Sequence, residues 1–533
     1  MTSLALLGLD PAIERSILIT AYLAIIAVIC FYGLHRYWMV ILFARHRSKR
    51  TRPSGRLQNL PPVTVQVPLY NEGAVAARII HAVSQLDYPR DLLQIQVLDD
   101  SNDGSEHTAE QAVHEARARG VNITHIRRPD RVGFKAGALE YGMASATGDL
   151  IAIFDADFVP HRSFLRRTVH HFADPATGVV QTRWAHLNRT DSLLTRSQAV
   201  FLDGHFVIEH TARSRGGAWI NFNGTAGIWR KAAIEQAGGW QHDTLTEDVD
   251  LSYRAQLLGW KFRYIPNLTC PAELPPNITA FKSQQFRWTK GSIQTAIKLL
   301  PRILRADLPF LVKSEAFFHL TSPVVYLFIT LFALLLYPTL VININPFGDT
   351  ILSGAILGLT LFSLGTTSAA LFYLTSQWAQ RRSLLETIAL IPALMAVGIG
   401  ISLYNALGVI EALLGRTSPF VRTKKYGDNP NQKLNLSKAL RGLRLADLPR
   451  FIPLMSLVEL AMAAYMAFCI VTMLTIPGAF MGLPFVILFT AGYLYVALSG
   501  FLIAARDTLE TAAVRANFTP EDQPASTAAP TTP

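Results

Sequence analysis

Apolar positions follow three regimes along this chain. Residues 16–44 are almost continuously apolar, short apolar runs alternate with polar segments over 60–310, and long apolar stretches return after 313. The first stretch exceeds the roughly 20 residues that a transmembrane helix needs, with Arg36 placed to snorkel to the interface. A signal peptide would carry a shorter apolar region, and its basic residues would precede it rather than follow it. The pattern therefore predicts an anchor over 1–45, with the N-terminus outside and residue 46 onward inside.

The middle regime predicts strands at Val63–Val67, Ile95–Leu98, Asn122–Ile126, Leu150–Phe154 and Val179–Thr182. Helical segments such as Ala74–Gln85 and Ser105–Arg119 lie between them. That alternation predicts an α/β unit over 46–275, a mostly parallel sheet with helices on its faces. Ligands in such sheets bind beyond the carboxyl ends of the strands.

An amphipathic, interfacial segment is expected over 276–312, then a transmembrane or channel region over 313–505. Its candidate spans are Phe317–Ile342, Ile351–Leu374, Pro453–Leu474 and Phe480–Ala504. Leu384–Leu414 is long for one span and short for two, with basic residues at both ends. If both flanks face the same side, it is a re-entrant hairpin or an interfacial helix. A cytoplasmic loop is expected near 415–450. Residues 506–533 read as a disordered tail rich in Pro, Ala, Ser and Thr.

Composition supports the membrane reading. Charged residues are only 16% of the chain and mean hydropathy is +0.26. The net charge of +11 gathers beside the spans, as in residues 46–52, Arg381-Arg382 and Arg422-Thr423-Lys424-Lys425. That is the cytoplasmic-loop pattern of membrane proteins. No basic stripe interleaved with aromatics points to a nucleic acid. Three scattered cysteines form neither a disulfide framework nor a zinc site. His170, His171, His205 and His210 lack a metal-binding spacing and read as structural or surface residues.

Four clusters carry candidate chemistry. Asp99-Asp100 closes a strand and can accept hydrogen bonds from a base or ribose; alone it is equally a polar turn. Asp155-Ala156-Asp157 closes an apolar strand and can hold Mg²⁺ or Mn²⁺ against a diphosphate, although a single Asp-x-Asp is common. Thr246-Glu247-Asp248 opens a helix, where acids are also favoured by the dipole alone. Gln284-Gln285-Phe286-Arg287-Trp288 lies just before the spans, where Trp and Arg are ordinary interfacial residues.

Together and in this order, the four clusters resemble the D, DxD, TED and QxxRW series of processive, inverting family 2 glycosyltransferases. The stretches VQVPLYNE (65–72), QIQVLDDSND (94–103), GFKAGAL (133–139), IAIFDADFVP (151–160), NFNGTAGIWR (221–230), GGWQHDTLTEDVDLSYRAQLLGWKF (238–262) and QQFRWTKG (284–291) resemble especially the cellulose synthase-like A proteins. Those are β-1,4-mannan and glucomannan synthases. The resemblance implies a Rossmann-like GT-A domain between the N-terminal anchor and a C-terminal bundle.

It also implies roles. Tyr70, Glu72, Asp99, Asp100 and Lys135 would bind the donor. Asp155 and Asp157 would hold the metal, and Asp248 would be the general base. Glu247, Gln284, Arg287 and Trp288 would contact the acceptor or the leaving diphosphate. Phe420, Thr423 and Lys425 resemble the FxVTxK gating loop of cellulose synthase, with Arg422 in place of its Val.

The implied activity is metal-dependent transfer of mannosyl or glucosyl units from GDP-mannose, GDP-glucose or UDP-glucose to a growing β-1,4-glycan. A cytoplasmic catalytic domain and export through the chain's own spans are implied as well. The same motifs admit a glycolipid synthase acting on an acceptor such as diacylglycerol. A non-catalytic exporter would have lost carboxylates that are all present here.

Overall fold

The computed structural model describes residues 10–341, 351–417, 443, 445–476 and 479–515. Its centre is a seven-stranded sheet built from β1 (Val63–Leu69), β2 (Leu93–Asp99), β3 (Ile123–Ile126), β4 (Leu150–Ile153), β5 (Thr177–His186), β6 (Gly227–Arg230) and β7 (Lys261–Ala272). The order is β3-β2-β1-β4-β6-β5-β7. Only β6 runs against its neighbours β4 and β5; the other pairings are parallel. The five predicted strands are present. β6 and β7 escaped the pattern because β6, Gly-Ile-Trp-Arg, has only two apolar side chains between a glycine and an arginine, and β7 mixes apolar with polar positions.

Helices cover both faces of the sheet, which explains why its strands are apolar on both sides. On one face Val63, Val65 and Val67 pack against Val75, Ile79, Ile80 and Val83. On the other, Ile151 and Ile153 pack with Leu139, Trp229 and Trp240. Each such aliphatic side chain contributes about 1.5–3 kcal/mol by leaving water. Two glutamines within the strands find partners rather than opening the core. Gln66 Nε2 donates to Gln96 Oε1 at 3.0 Å, and Gln96 Nε2 donates to the Gly142 carbonyl at 3.1 Å. They fasten the sheet to the helix Phe134–Met143.

The chain winds from β1 outward through β2 and β3, then returns to the far side of β1 as β4. This reversal creates a crevice at the carboxyl ends of β1 and β4. The register places Leu69 beside Asp99 and Gln66 beside Ile153. Residues just after β1, β2 and β4 therefore open onto one edge of the sheet.

Outside the sheet, four helices among the described residues are long and apolar enough to cross a membrane: Ala12–His46, Val324–Val341, Leu454–Thr475 and Leu483–Ala513. The expected span from Phe317 is divided. Phe310–Thr321 and Val324–Val341 are separate helices on either side of Pro323, whose missing N–H and ring geometry break a helix. Ile351–Ala379 is helical and packs along Pro11–His46. Residues 384–414 form two helices, Leu384–Gly400 and Ser402–Leu413, bent by 42°. Such a bent pair has the form of a broken span or of a re-entrant loop.

Candidate active site

The floor of the crevice is made by the loops after β1 and β2, which clasp one another. The Asn71 N–H donates to Ser101 Oγ at 2.8 Å, and the Asn102 N–H donates to Asn71 Oδ1 at 2.9 Å. Tyr70, Glu72 and Asp100 line the cavity. The Arg131 guanidinium lies 3.3 Å from the centre of the Tyr70 ring, a cation–π contact. Asp100 is gripped by both arms of Arg128, at 2.7 and 2.6 Å.

Asp99 lies beneath the cavity and is only 2% exposed. Its carboxylate accepts from His125 Nε2 at 2.8 Å and from the Ser101 N–H at 2.9 Å. Burial pushes its pKa up, and the bonds from His125 and Ser101 outweigh that, leaving it below the usual range. Asp99, expected from the sequence to bind the donor, is not among the residues lining the cavity and braces its floor from below.

At the centre stand Lys135, Asp155, Asp157, Glu247 and Asp248, all lining the cavity. β4 delivers Asp155, whose N–H donates to Thr225 Oγ1 at 2.8 Å. Lys135, in the first turn of Phe134–Met143, places Nζ 2.5 Å from Asp155 Oδ1 and donates to the Gly224 carbonyl at 3.0 Å. Gly224 has φ +77°, and a Cβ there would lie 3.1 Å from Asp248 Oδ2 and 3.4 Å from Lys135 Nζ. Only glycine suits both the backbone and the space.

Asp248 sits in the first turn of Glu247–Leu257 and caps the N–H of Val249 at 2.8 Å. Burial and the adjacent Glu247 push its pKa up to about 8, against the pull of Lys135. Burial likewise raises Glu247. Burial lowers the pKa of Lys135, but Asp155, Glu247 and Asp248 outweigh it and keep the ammonium charged.

The roof is the helix Ile278–Arg305, started by Asn277, whose side chain accepts from the Ala280 N–H at 2.9 Å. Gln284, Arg287 and Trp288 face the cavity from it. Burial lowers the pKa of Arg287, partly offset by Glu247, Asp155 and Glu72. A Cβ on Gly291 would lie 2.5 Å from Thr246 Cγ2 and 2.8 Å from the Thr246 N–H nitrogen. This missing side chain lets the Thr-Glu-Asp turn approach the roof. The contact is fixed by Leu245, whose N–H donates to Gln294 Oε1 at 2.9 Å. Buried pairs from Lys282 to Glu459 and from Lys290 to Glu411, the latter at 2.7 Å, tie the same helix to the C-terminal bundle.

The donor set suits a hard divalent cation. Asp155 and Asp157 offer carboxylate oxygens, and a cationic ammonium already rests on Asp155. Among the described residues no three or more His, Cys, Asp or Glu side chains form a metal cage. Mg²⁺ and Mn²⁺ at nucleotide sites need none, since one or two carboxylates suffice when phosphates complete the shell. Phe420, Thr423 and Lys425 lie outside the described residues.

Residues 61–291 match the profile of the glycosyltransferase-like family 2. The chain is 36% identical over 393 residues to probable glucomannan 4-beta-mannosyltransferase 11 of Arabidopsis thaliana, covering 71% of this chain and 84% of that one. Glucomannan 4-beta-mannosyltransferase 7 of Arabidopsis thaliana is 35% identical over 425 residues, covering 77% and 71%. This chain belongs to the family 2 glycosyltransferases.

A shorter match, 45% over 251 residues, joins it to probable glucomannan 4-beta-mannosyltransferase 7 of Oryza sativa subsp. japonica; it covers 46% of this chain and 43% of that one. The fold is shared with a mannosyltransferase from Pyrobaculum calidifontis solved with GDP-Man and Mn²⁺. The TM-score is 0.54 at 20% identity, over 75% of this chain and all of that one. The protein is thus a nucleotide-sugar-dependent hexosyltransferase of GT-A type and an integral membrane protein.

Arg131, Asn223 and Gly224 are among the cavity residues to which the sequence gave no role. The Asn-Gly pair does carry a signal, since that dipeptide marks a tight turn. Its place beside Lys135 and Asp248 depends on β6 pairing with β4, which sequence periodicity did not reveal.

Proposed function

We propose that this enzyme transfers mannosyl units from GDP-mannose to the 4-hydroxyl at the end of a growing β-1,4-glycan, with inversion at the anomeric carbon. The observation that carries the reading is the meeting of Asp248, Gly224, Lys135 and Asp155 at one point of the crevice. A carboxyl with a pKa near 8 is a proton acceptor matched to neutral pH. It stands beside a cation suited to a departing diphosphate.

In this reading Tyr70, Glu72 and Asp100 hold the nucleoside, and Lys135 and Arg287 neutralise the diphosphate. Asp155 and Asp157 are the residues that hold the divalent cation, which supplies charge neutralisation on the diphosphate when bound. Asp248 takes the proton from the acceptor hydroxyl, whose oxygen bonds to the anomeric carbon as the bond to the diphosphate breaks. One displacement with one base inverts the configuration, and no covalent enzyme intermediate is needed. Trp288 offers a ring face for the acceptor sugar at the roof.

The names of the relatives favour mannosyl transfer and a glucomannan product. The GDP-Man and Mn²⁺ in the Pyrobaculum structure favour the same donor and a divalent metal. The basic residues flanking the spans favour a cytoplasmic site. The buried pairs between roof helix and bundle favour handing the product directly to the spans.

Product analysis tests the reading. Membranes holding the protein are supplied with radiolabelled GDP-mannose, GDP-glucose or UDP-glucose, with and without Mn²⁺ or Mg²⁺. The expected product is alkali-insoluble, forms only with metal and is digested by a β-mannanase. Label extracted into organic solvent as a single-sugar lipid would replace this reading with a glycolipid synthase.

A further inference from the structure

The turn that carries Gly224 is held from behind by two histidines to which the reaction above gives no role. Gly204–His210 forms a π-helical turn between Leu193–Asp203 and Thr211–Gly216. Such turns interrupt the regular bonding of a helix and recur at functional sites. From it, His205 Nε2 lies 3.0 Å from Asn223 Oδ1 and His210 Nε2 lies 3.1 Å from Asn223 Nδ2. The two rings approach each other at 3.0 Å between their Nε2 atoms. Asn223 itself lines the cavity.

Local bonds fix which way the Asn223 amide points. Asn221 Nδ2 donates to the Phe222 carbonyl at 3.1 Å and to Asn223 Oδ1 at 3.2 Å, so that atom of Asn223 is the oxygen. Its nitrogen then donates to His210 Nε2, and its oxygen is the acceptor that faces His205 Nε2. The other ring nitrogen of His205 lies 2.8 Å from Glu209 Oε2. Partial burial raises the Glu209 carboxyl, but Arg213 and His205 outweigh it and hold it ionised. His205 thus bridges the Glu209 carboxylate on one side and the Asn223 carbonyl oxygen on the other. The backbone is held as well, since the Asn223 N–H donates to Gln181 Oε1 at 3.0 Å.

We propose that Asn223 is a positioning residue for the transfer step, oriented by His205 and His210 so that the Asn223–Gly224 turn holds Lys135 and sets the approach to Asp248. The proposal rests on the reading of Asp248 as the base. The turn acts through two contacts: the Gly224 carbonyl on Lys135 and the bare Gly224 Cα against Asp248. A small displacement of it moves proton acceptor and diphosphate-binding cation together.

The test uses the full chain in detergent or nanodiscs with GDP-mannose and Mn²⁺. His205→Ala removes the donor to Asn223 and lowers kcat by about tenfold or more, as misplacement of reacting groups does. The Kd for GDP-mannose, read by calorimetry, stays unchanged. His205→Gln returns an N–H near the Nε2 position and restores most of kcat.

Asn223→Asp still accepts from His205 but loses the amide donor to His210 Nε2, which lies 3.0 Å from His205 Nε2. Its new charge near Asp248 moves the acid limb of the rate profile to higher pH, which a merely structural residue would not do. Wild-type kcat in His205→Ala, a His205→Gln variant no better than Ala, or an unmoved limb in Asn223→Asp would overturn the proposal. If His205→Ala does not fold, the pH profile of Asn223→Asp decides. Failure of the underlying reading shows separately, as wild-type turnover in Asp248→Asn.

Discussion

Two charged clusters of this glycosyltransferase use the same side-chain types to opposite ends. Behind the site, Glu315 is 1% exposed and accepts from Trp38 Nε1 at 3.0 Å, His35 Nε2 at 3.2 Å and Arg213 Nε at 3.3 Å. Arg213 also reaches Glu209 at 3.7 Å. There each acid faces a cation and the charges are closed upon themselves. In the cavity, Glu247 and Asp248 are consecutive residues at one helix start and, with Asp155, outnumber the two cations set against them, Lys135 and Arg287. Like charge and burial then leave Asp248 reluctant to ionise. The first arrangement joins the anchor helix to the catalytic domain. The second gives up electrostatic comfort for a group that can take a proton, and the difference lies in the number of donors per acid.

The largest expected contrast comes from Asp248→Asn. It should lower turnover by roughly 10²–10⁴-fold, the usual contribution of a general base. GDP-mannose affinity by calorimetry should persist, because shape and neighbouring cations remain. An equal loss of affinity and turnover would assign Asp248 to donor binding instead.

Glu315→Ala should do the reverse. Leaving Arg213 buried without that acid costs about 3–5 kcal/mol, seen as a lower Tm of the solubilised protein. The pH profile of whatever activity survives should keep its shape. An unchanged Tm would mean that the rear cluster does not hold the two parts together.

Gly291→Ala tests the contact between roof and base. Overpacking of this kind costs about 1–3 kcal/mol, and here the added methyl meets both the short, branched Thr246 side chain and the Thr246 backbone nitrogen. Turnover should therefore fall more than stability, with kcat and Tm measured on the same preparation. A drop in Tm alone would show that the Thr-Glu-Asp turn tolerates the shift.

The smallest effect is the most diagnostic. The pH profile of kcat/KM should lose activity as pH falls through an apparent pKa near 8, since the protonated carboxyl is no base. That value belongs to the Glu247–Asp248 pair rather than to either residue. Glu247→Gln removes a like charge, favours the ionised form of Asp248 and should move the limb to lower pH. A limb that stays in place would separate the two acids.

Five of the seven strands, the anchor and the acidic clusters were legible in the sequence, because each rests on local periodicity or on neighbouring residues. The strands β6 and β7 were not, being mixed in polarity. The broken segment around Pro323 was read as one span because hydropathy averages over a break. Asp99 shows the limit for single side chains. Its position at a strand end was readable, but its turn towards His125 depends on β3 lying next to β2.

The sequence by itself determined the three regimes of the chain, the sheet-and-helix class and the residue types of the site. Hydrophobic periodicity and clustered carboxylates are written along the chain and need no partner to be read. Tertiary structure alone decided that Gly224 separates Lys135 from Asp248, and that Gly291 lets the roof helix touch Thr246. It also placed His205 and His210 behind Asn223. Those contacts join residues far apart in the chain, and a burial-shifted carboxyl acquires its chemistry only once the surrounding elements have closed over it.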